Sequence, residues 1–171
     1  MTARWSAIAL SATVLGFAVL SFAAVLGFAS DVRAQDMFIE GDIVRGNQPG
    51  APGPICVLNN QFKHLEKVVF RFRVRDKDGK LMDDKALKGL AVEMPDGQKV
   101  DGYYGGHPPQ GATDYFWVVV WIVPKDYPNG TFIYRATATD MAGHSQVWDP
   151  IKRVTSYLQI APGEITFAKS N

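Results

Sequence analysis

From Glu66 to Arg75 the chain alternates without a break, with Val68, Phe70, Phe72 and Val74 on one side and Val69, Arg71, Arg73 and Arg75 on the other. A period of two is the mark of a half-buried β-strand, because successive side chains leave a strand on opposite faces. A helix would scatter these valines and phenylalanines around its axis. A chain holding this segment must therefore build a sheet and give its inward face a second apolar layer.

The remainder of the chain repeats the pattern with turns at short intervals. Phe38 to Val44 reads as a first strand, and Asp76-Lys77-Asp78-Gly79 closes the Glu66–Arg75 strand with turn chemistry. Asp83 to Lys88 is expected to form one helical turn, too short to carry architecture. Leu90, Val92 and Met94 mark the next strand, and Pro95-Asp96-Gly97 turns it back into Lys99–Tyr104. Tyr115 to Val123 is apolar on both faces and reads as an interior strand. After a turn at Pro124 to Gly130, Thr131 to Asp140 places Phe132, Tyr134, Ala136 and Ala138 on one face. A last strand spans Val154 to Ile160, ending a domain over 35–161, with 162–171 as a tail. About seven short strands without a long amphipathic helix imply an antiparallel sandwich.

Tyr127-Pro128-Asn129-Gly130-Thr131-Phe132, then Ala136-Thr137-Ala138-Thr139-Asp140-Met141-Ala142-Gly143-His144, resembles the last hairpin of bacterial Ig-like and fibronectin type III-like domains. Those read as a Gly-Thr-Tyr turn, a Thr/Val/Ala strand and Asp-x-Ala-Gly-Asn. Two positions depart from that pattern: Phe132 lacks the usual phenolic hydroxyl, and His144 stands in place of asparagine. The resemblance covers under a fifth of the chain. It implies an all-β fold, a single immunoglobulin-like antiparallel β-sandwich, and implies no activity, since unrelated functions share the motif.

A charge-free run from Trp5 to Ala29 follows Arg4 and precedes Ser30-Asp31-Val32-Arg33-Ala34. Val32 and Ala34 are small residues at the −3 and −1 positions of signal peptidase, with Gln35 as the new N-terminus. The run is about 25 residues, longer than an ordinary signal core and enough to span a bilayer as a hydrophobic helix. Residues 1–34 are thus read as a signal peptide or an N-terminal inner-membrane anchor. Arg4 favours a cytoplasmic N-terminus in both cases. Either way the domain is expected outside the cytoplasm: periplasmic, secreted, or tethered to the outer face of the inner membrane through residues 5–29.

Taking Arg4 and Arg33 from the 18 basic residues and Asp31 from the 17 acidic ones leaves 16 of each. This balance gives no electrostatic reason to expect nucleic acid, and no polybasic stretch suits an anionic membrane surface. Cys56 is the single cysteine, so the domain has no internal disulfide and rests on its core. Among Pro54, Ile55, Val57 and Leu58 it is expected to be a buried, inert thiol. The segment Arg45 to Leu65, with Gly46, Pro49, Gly50, Pro52, Gly53 and Pro54, is an uncommonly long connection of the kind that often carries function. Its Ile55 to Leu58 stretch could dock as a short extra strand.

Two surfaces stand out. In the immunoglobulin pairing the first, second, fifth and fourth strands share a sheet, which sets Glu66–Arg75 beside Tyr115–Val123. If Phe116, Val118, Val120 and Ile122 face the core, the outer face carries Arg71, Arg73 and Arg75 beside Tyr115, Trp117, Val119 and Trp121. Guanidinium groups stacked between indoles would form a cation–π ladder, similar to the arginine–tryptophan ladder of cytokine-receptor fibronectin domains. Such a face covers an apolar sheet, serves as a carbohydrate platform, or docks a protein partner, since Trp, Tyr and Arg dominate interface hot spots. The second surface is a loop cluster holding Asp76, Asp78, His107 and His144. A metal-binding alternative draws on His107 and His144, or on Cys56 and His64, with copper or zinc as the ion. No local ligand spacing supports it, and Asp76 and Asp78 are the residue types that form turns. Ser145 and Ser156 lack a Gly-x-Ser-x-Gly elbow, and no carboxylate pair stands out. The expected function is a non-enzymatic binding or accessory module for a periplasmic or membrane protein. It would act through the Arg/Trp face or the Pro/Gly-rich loop, with a metal-binding redox or chaperone protein as the alternative.

Overall fold

The computed structural model describes residues 36–48, 56–108, 110–151 and 156–165. The expected N-terminal hydrophobic helix, the processing site after Ala34 and the Pro/Gly-rich residues 49–55 lie outside them. Among the described residues no helix is long and apolar enough to cross a membrane.

The described chain is all-β. Its strands are β1 (Met37–Arg45), β2 (Gln61–His64), β3 (Lys67–Asp76), β4 (Leu87–Glu93), β5 (Lys99–Asp101) and β6 (Tyr103–His107). There follow β7 (Asp114–Ile122), β8 (Gly130–Phe132), β9 (Arg135–Asp140), β10 (Ser145–Trp148) and β11 (Leu158–Glu164). One antiparallel sheet has the order β1-β3-β7-β6 and a second the order β10-β9-β4-β5. A third, β2-β11-β8, includes one parallel pair, β2 with β11. The arrangement is compatible with a β-sandwich, since β3 and β7 of the first sheet and β4 and β9 of the second feed one buried cluster.

Turns fall where the sequence placed them. Asp76 Oδ1 accepts the backbone N–H groups of Asp78 and Lys80, and Gly79 takes φ +81°. That conformation costs glycine nothing and would strain a residue with a Cβ. At Pro95-Asp96-Gly97 the Met94 N–H donates to Gln98 O, closing the hairpin between β4 and β5. Asp83 to Leu87 makes a single turn through the Leu87 N–H to Asp83 O bond, and β4 starts at once.

Expected and observed strands differ where the chain changes sheets. Lys99–Tyr104 splits at Gly102, because β5 belongs to the second sheet and β6 to the first. The Gly102 N–H donates to Leu90 O, and a Cβ there would lie 2.9 Å from a Val119 methyl and 3.1 Å from Val118 O. Only a bare backbone passes between β4 and β7 at that spacing. The final strand also runs beyond Ala161, where the sequence was expected to leave the domain. β11 continues to Glu164 through a register shift, Gly163 adopts φ +100°, and Ile165 is buried. Pro162-Gly163 resembles a terminator and instead forms an irregularity within a strand.

The phase of β7 reverses the expectation. Trp117 and Trp121 are each 4 % exposed and Val119 and Val123 are fully buried, whereas Val120 and Ile122 face outward. Register explains this. Phe72 pairs with Trp117, Phe70 with Val119 and Val68 with Trp121, and cross-strand partners share a face. The buried set of β3 therefore selects the tryptophans. Each indole N–H also finds an acceptor: Trp117 Nε1 donates to Met82 O at 2.9 Å and Trp121 Nε1 to Gln98 Oε1 at 3.3 Å. Buried indoles require such partners. Ala136 and Ala138 of β9, both fully buried, belong to the same core cluster.

Candidate binding face

The outward side of the β1-β3-β7-β6 sheet carries Arg71, Arg73 and Arg75 as three successive outward residues of β3. Opposite them on β1 stand acidic residues, since Asp42 pairs with Arg71 and Glu40 with Arg73. Asp42 holds Arg71 with two parallel bonds, Nε to Oδ1 at 2.8 Å and Nη2 to Oδ2 at 2.7 Å. This fork geometry is the strongest form of the arginine–carboxylate pair. The Asp42 hydrogen bonds push the Arg71 pKa above its ordinary value, against a smaller opposing effect of burial. Arg73 Nη2 donates to Asp114 Oδ1 at 2.8 Å. Arg75 Nη1 donates to Gly79 O at 2.9 Å, with Glu40 3.9 Å from its Nε.

The aromatic member of this face is Phe116. Its ring centroid lies 5.2 Å from the Arg71 guanidinium carbon and 4.7 Å from that of Arg73. The cation–π ladder thus exists with phenylalanine between the arginines and without the two tryptophans. Tyr115 belongs to the opposite parity and stacks on Tyr104, with centroids 5.8 Å apart and planes at 21°. It is exposed, yet off the arginine face. Val120 and Ile122 of β7 and Tyr103 of β6 complete the face as an exposed apolar strip. Phe116, Asp42, Glu40 and Asp114 are the members that reading the sequence missed. The sequence holds no signal for the phase of β7, whose two faces are both apolar; pairing of Trp117 with Phe72 and of Trp121 with Val68 sets it.

The four residues of the metal alternative are placed separately. His64, on β2, is buried, with Nδ1 3.1 Å from Gly163 O and Nε2 2.7 Å from Tyr127 O. Both nitrogens thus face carbonyl oxygens and link β2 to β11 and to the turn before β8. His144 receives the turn of the β9–β10 hairpin, where its Nδ1 lies 3.0 Å from Asp140 Oδ2 and its N–H donates to Asp140 Oδ1. Desolvation pushes the Asp140 carboxyl upward, and the hydrogen bonds from His144 outweigh it, leaving the pKa below its ordinary value. His107 ends β6 and is exposed, opposite Asp114. Cys56 is exposed rather than buried. Its N–H donates to Arg45 O, and Leu58 bridges Val44, so Cys56–Leu58 runs along the edge of β1 as the expected short extra strand. An edge position leaves its thiol toward solvent. Among the described residues no three His, Cys, Asp or Glu side chains converge in a way that could hold a metal ion.

No family model and no curated protein matches the chain.

Proposed function

We propose that the chain is an exported, non-enzymatic binding or accessory module that recognises a protein partner through the outer face of the β1-β3-β7-β6 sheet. The domain works in the periplasm, released there or tethered to the outer face of the inner membrane. The immunoglobulin-like reading is supported by strand order. Counting β2–β3, β5–β6, β8–β9 and β10–β11 as interrupted single strands, the first sheet follows the first-second-fifth-fourth order of that fold. Such a sandwich presents sheet faces and loops to partners, so the functional question becomes which face is left uncovered.

The observation that carries the reading is the Phe116 ring between Arg71 and Arg73, beside the exposed Val120, Ile122 and Tyr103. Interfaces combine an apolar centre with aromatic and arginine anchors and a polar rim. Here the strip of β7 is the centre, and the arginines and their carboxylates form the rim. Because each arginine is paired within the sheet, the matching partner surface is apolar at its centre and needs no large opposing charge.

A photo-crosslinking residue at Ile122, with a control at Val147 on the outer side of β10, tests this in the native envelope. The expected result is one adduct of defined mass from position 122 and none from 147, lost on Val120→Asp with thermal stability unchanged. Equal adducts at both positions, or none at either, overturns the assignment.

A further inference from the structure

A cleft of about 310 Å³ opens between β1 and the end of β10, on the open side between the two larger sheets. Its size falls within the range of small-ligand sites. Tyr134 and Trp148 supply its aromatic surface, and Asp42, Asn59, Asn60 and Ser156 its polar groups. Gly41 brings Trp148 against β1, since a Cβ there would lie 2.5 Å from the Phe72 ring and 3.3 Å from Trp148 Cη2. Trp148 is locked edge-on to Phe72 at 5.5 Å and tilted on Tyr134 at 6.0 Å. The asparagines are oriented by backbone: Asn60 Nδ2 donates to Tyr157 O at 3.2 Å, and Asn59 Nδ2 donates to Gln61 O. The aromatic and polar groups are thus set before any ligand arrives.

The chemistry of the lining selects a ligand class. Among the described lining residues no side chain is cationic, so an anion finds no countercharge there. A cationic ligand gains little, because the bidentate Arg71 pair already neutralises the Asp42 carboxylate. An extended peptide adding to β1 meets an occupied edge: Arg45 N–H donates to Val57 O, and Asn59 N–H to Ile43 O. The usual strand-addition mode is closed there. What remains is a compact, uncharged ligand with an apolar face and a rim of hydroxyl groups. We propose that this cleft is a subsite for one neutral saccharide ring, held against Trp148 and hydrogen-bonded by Asn60 and Ser156.

The test uses the full chain in a detergent without a sugar headgroup. The Trp148 indole N–H resonance is followed against glucose, galactose and N-acetylglucosamine, with glucuronate as the anionic control. A saturable shift in the low millimolar range is expected for at least one neutral sugar. It should weaken by about tenfold or more for glucuronate and in Ile151→Trp, which fills the cleft from a side chain that is 71 % exposed. The fold of that variant is checked by its remaining amide resonances. Absence of any shift overturns the proposal, as does a shift unchanged in Ile151→Trp, equal binding of glucuronate, or a response to a proline-rich peptide alone. The outcome bears on the cleft alone, and the crosslinking experiment on the arginine face stands or falls separately.

Discussion

Phe116 and Trp117 are neighbours in the chain and occupy opposite sides of the sheet: the phenylalanine lies between two guanidinium groups, and the indole sits in the core opposite Phe72. Their substitutions should therefore differ sharply. Trp117→Ala removes a buried aromatic ring and its bond to Met82 O, which costs about 3–5 kcal/mol. Phe116→Ala loses two exposed cation–π contacts and some partly buried area, about 1–2 kcal/mol in all. Denaturant unfolding of the two variants measures the difference, and the reverse order would mean that the tryptophans lie outside.

Among the described residues Glu66 is the buried acid, 1 % exposed, with Oε1 3.3 Å from Arg45 Nε and Oε2 accepting the Lys63 N–H at 2.8 Å. It ties the β2–β3 turn to the end of β1. Glu66→Ala leaves the arginine and one backbone donor without this carboxylate, and the expected cost is about 3 kcal/mol. Glu66→Gln should lose less, because an amide oxygen can still accept from Lys63. Equal loss in the two variants would assign the whole effect to charge.

Legibility in the sequence followed contrast between the two faces of a strand. β3 was read correctly because arginines mark its outer side and phenylalanines its inner side. β7 offered no such contrast, since every residue from Tyr115 to Val123 is apolar. A one-residue error in phase exchanges the two faces completely. The pairing of β3 with β7 was right, and the ladder built on it had the wrong aromatic member. The turn at Asp76–Gly79 and the hairpin at Asp140–His144 were legible because short-range chemistry determines them. The position of Cys56 was not. Its apolar neighbours suggested burial, but the short strand they form lies at an edge, which depends on a partner far away in sequence.

The hairpin at Asp140 and His144 makes a testable electrostatic unit. Hydrogen bonds from His144 hold the Asp140 carboxyl below its ordinary value against desolvation. A lowered acid contributes stability above the ordinary aspartate pKa of about 4 and loses it as pH falls through the folded value. In His144→Ala the side-chain bond and charge disappear while the backbone N–H remains. The Asp140 titration, followed by its carboxyl carbon resonance, should move upward without reaching the value of a free aspartate. An unmoved titration would assign the lowering to the turn backbone alone.

Tyr134 makes the corresponding prediction at the alkaline end. Burial, and secondarily the charge of Asp42, raise its phenol above the ordinary tyrosine value. The folded state therefore holds this proton more tightly than the unfolded chain does. Its contribution is complete below the unfolded pKa of about 10 and is lost as pH rises toward the folded value. Tyr134→Phe removes the titrating group and keeps the ring contact that Phe70 makes at 4.8 Å. The variant should unfold at higher pH than the natural protein in an alkaline titration followed by near-ultraviolet circular dichroism. Coincident alkaline transitions would show that another buried group governs that limb, with Tyr127, also raised by burial, the next to substitute.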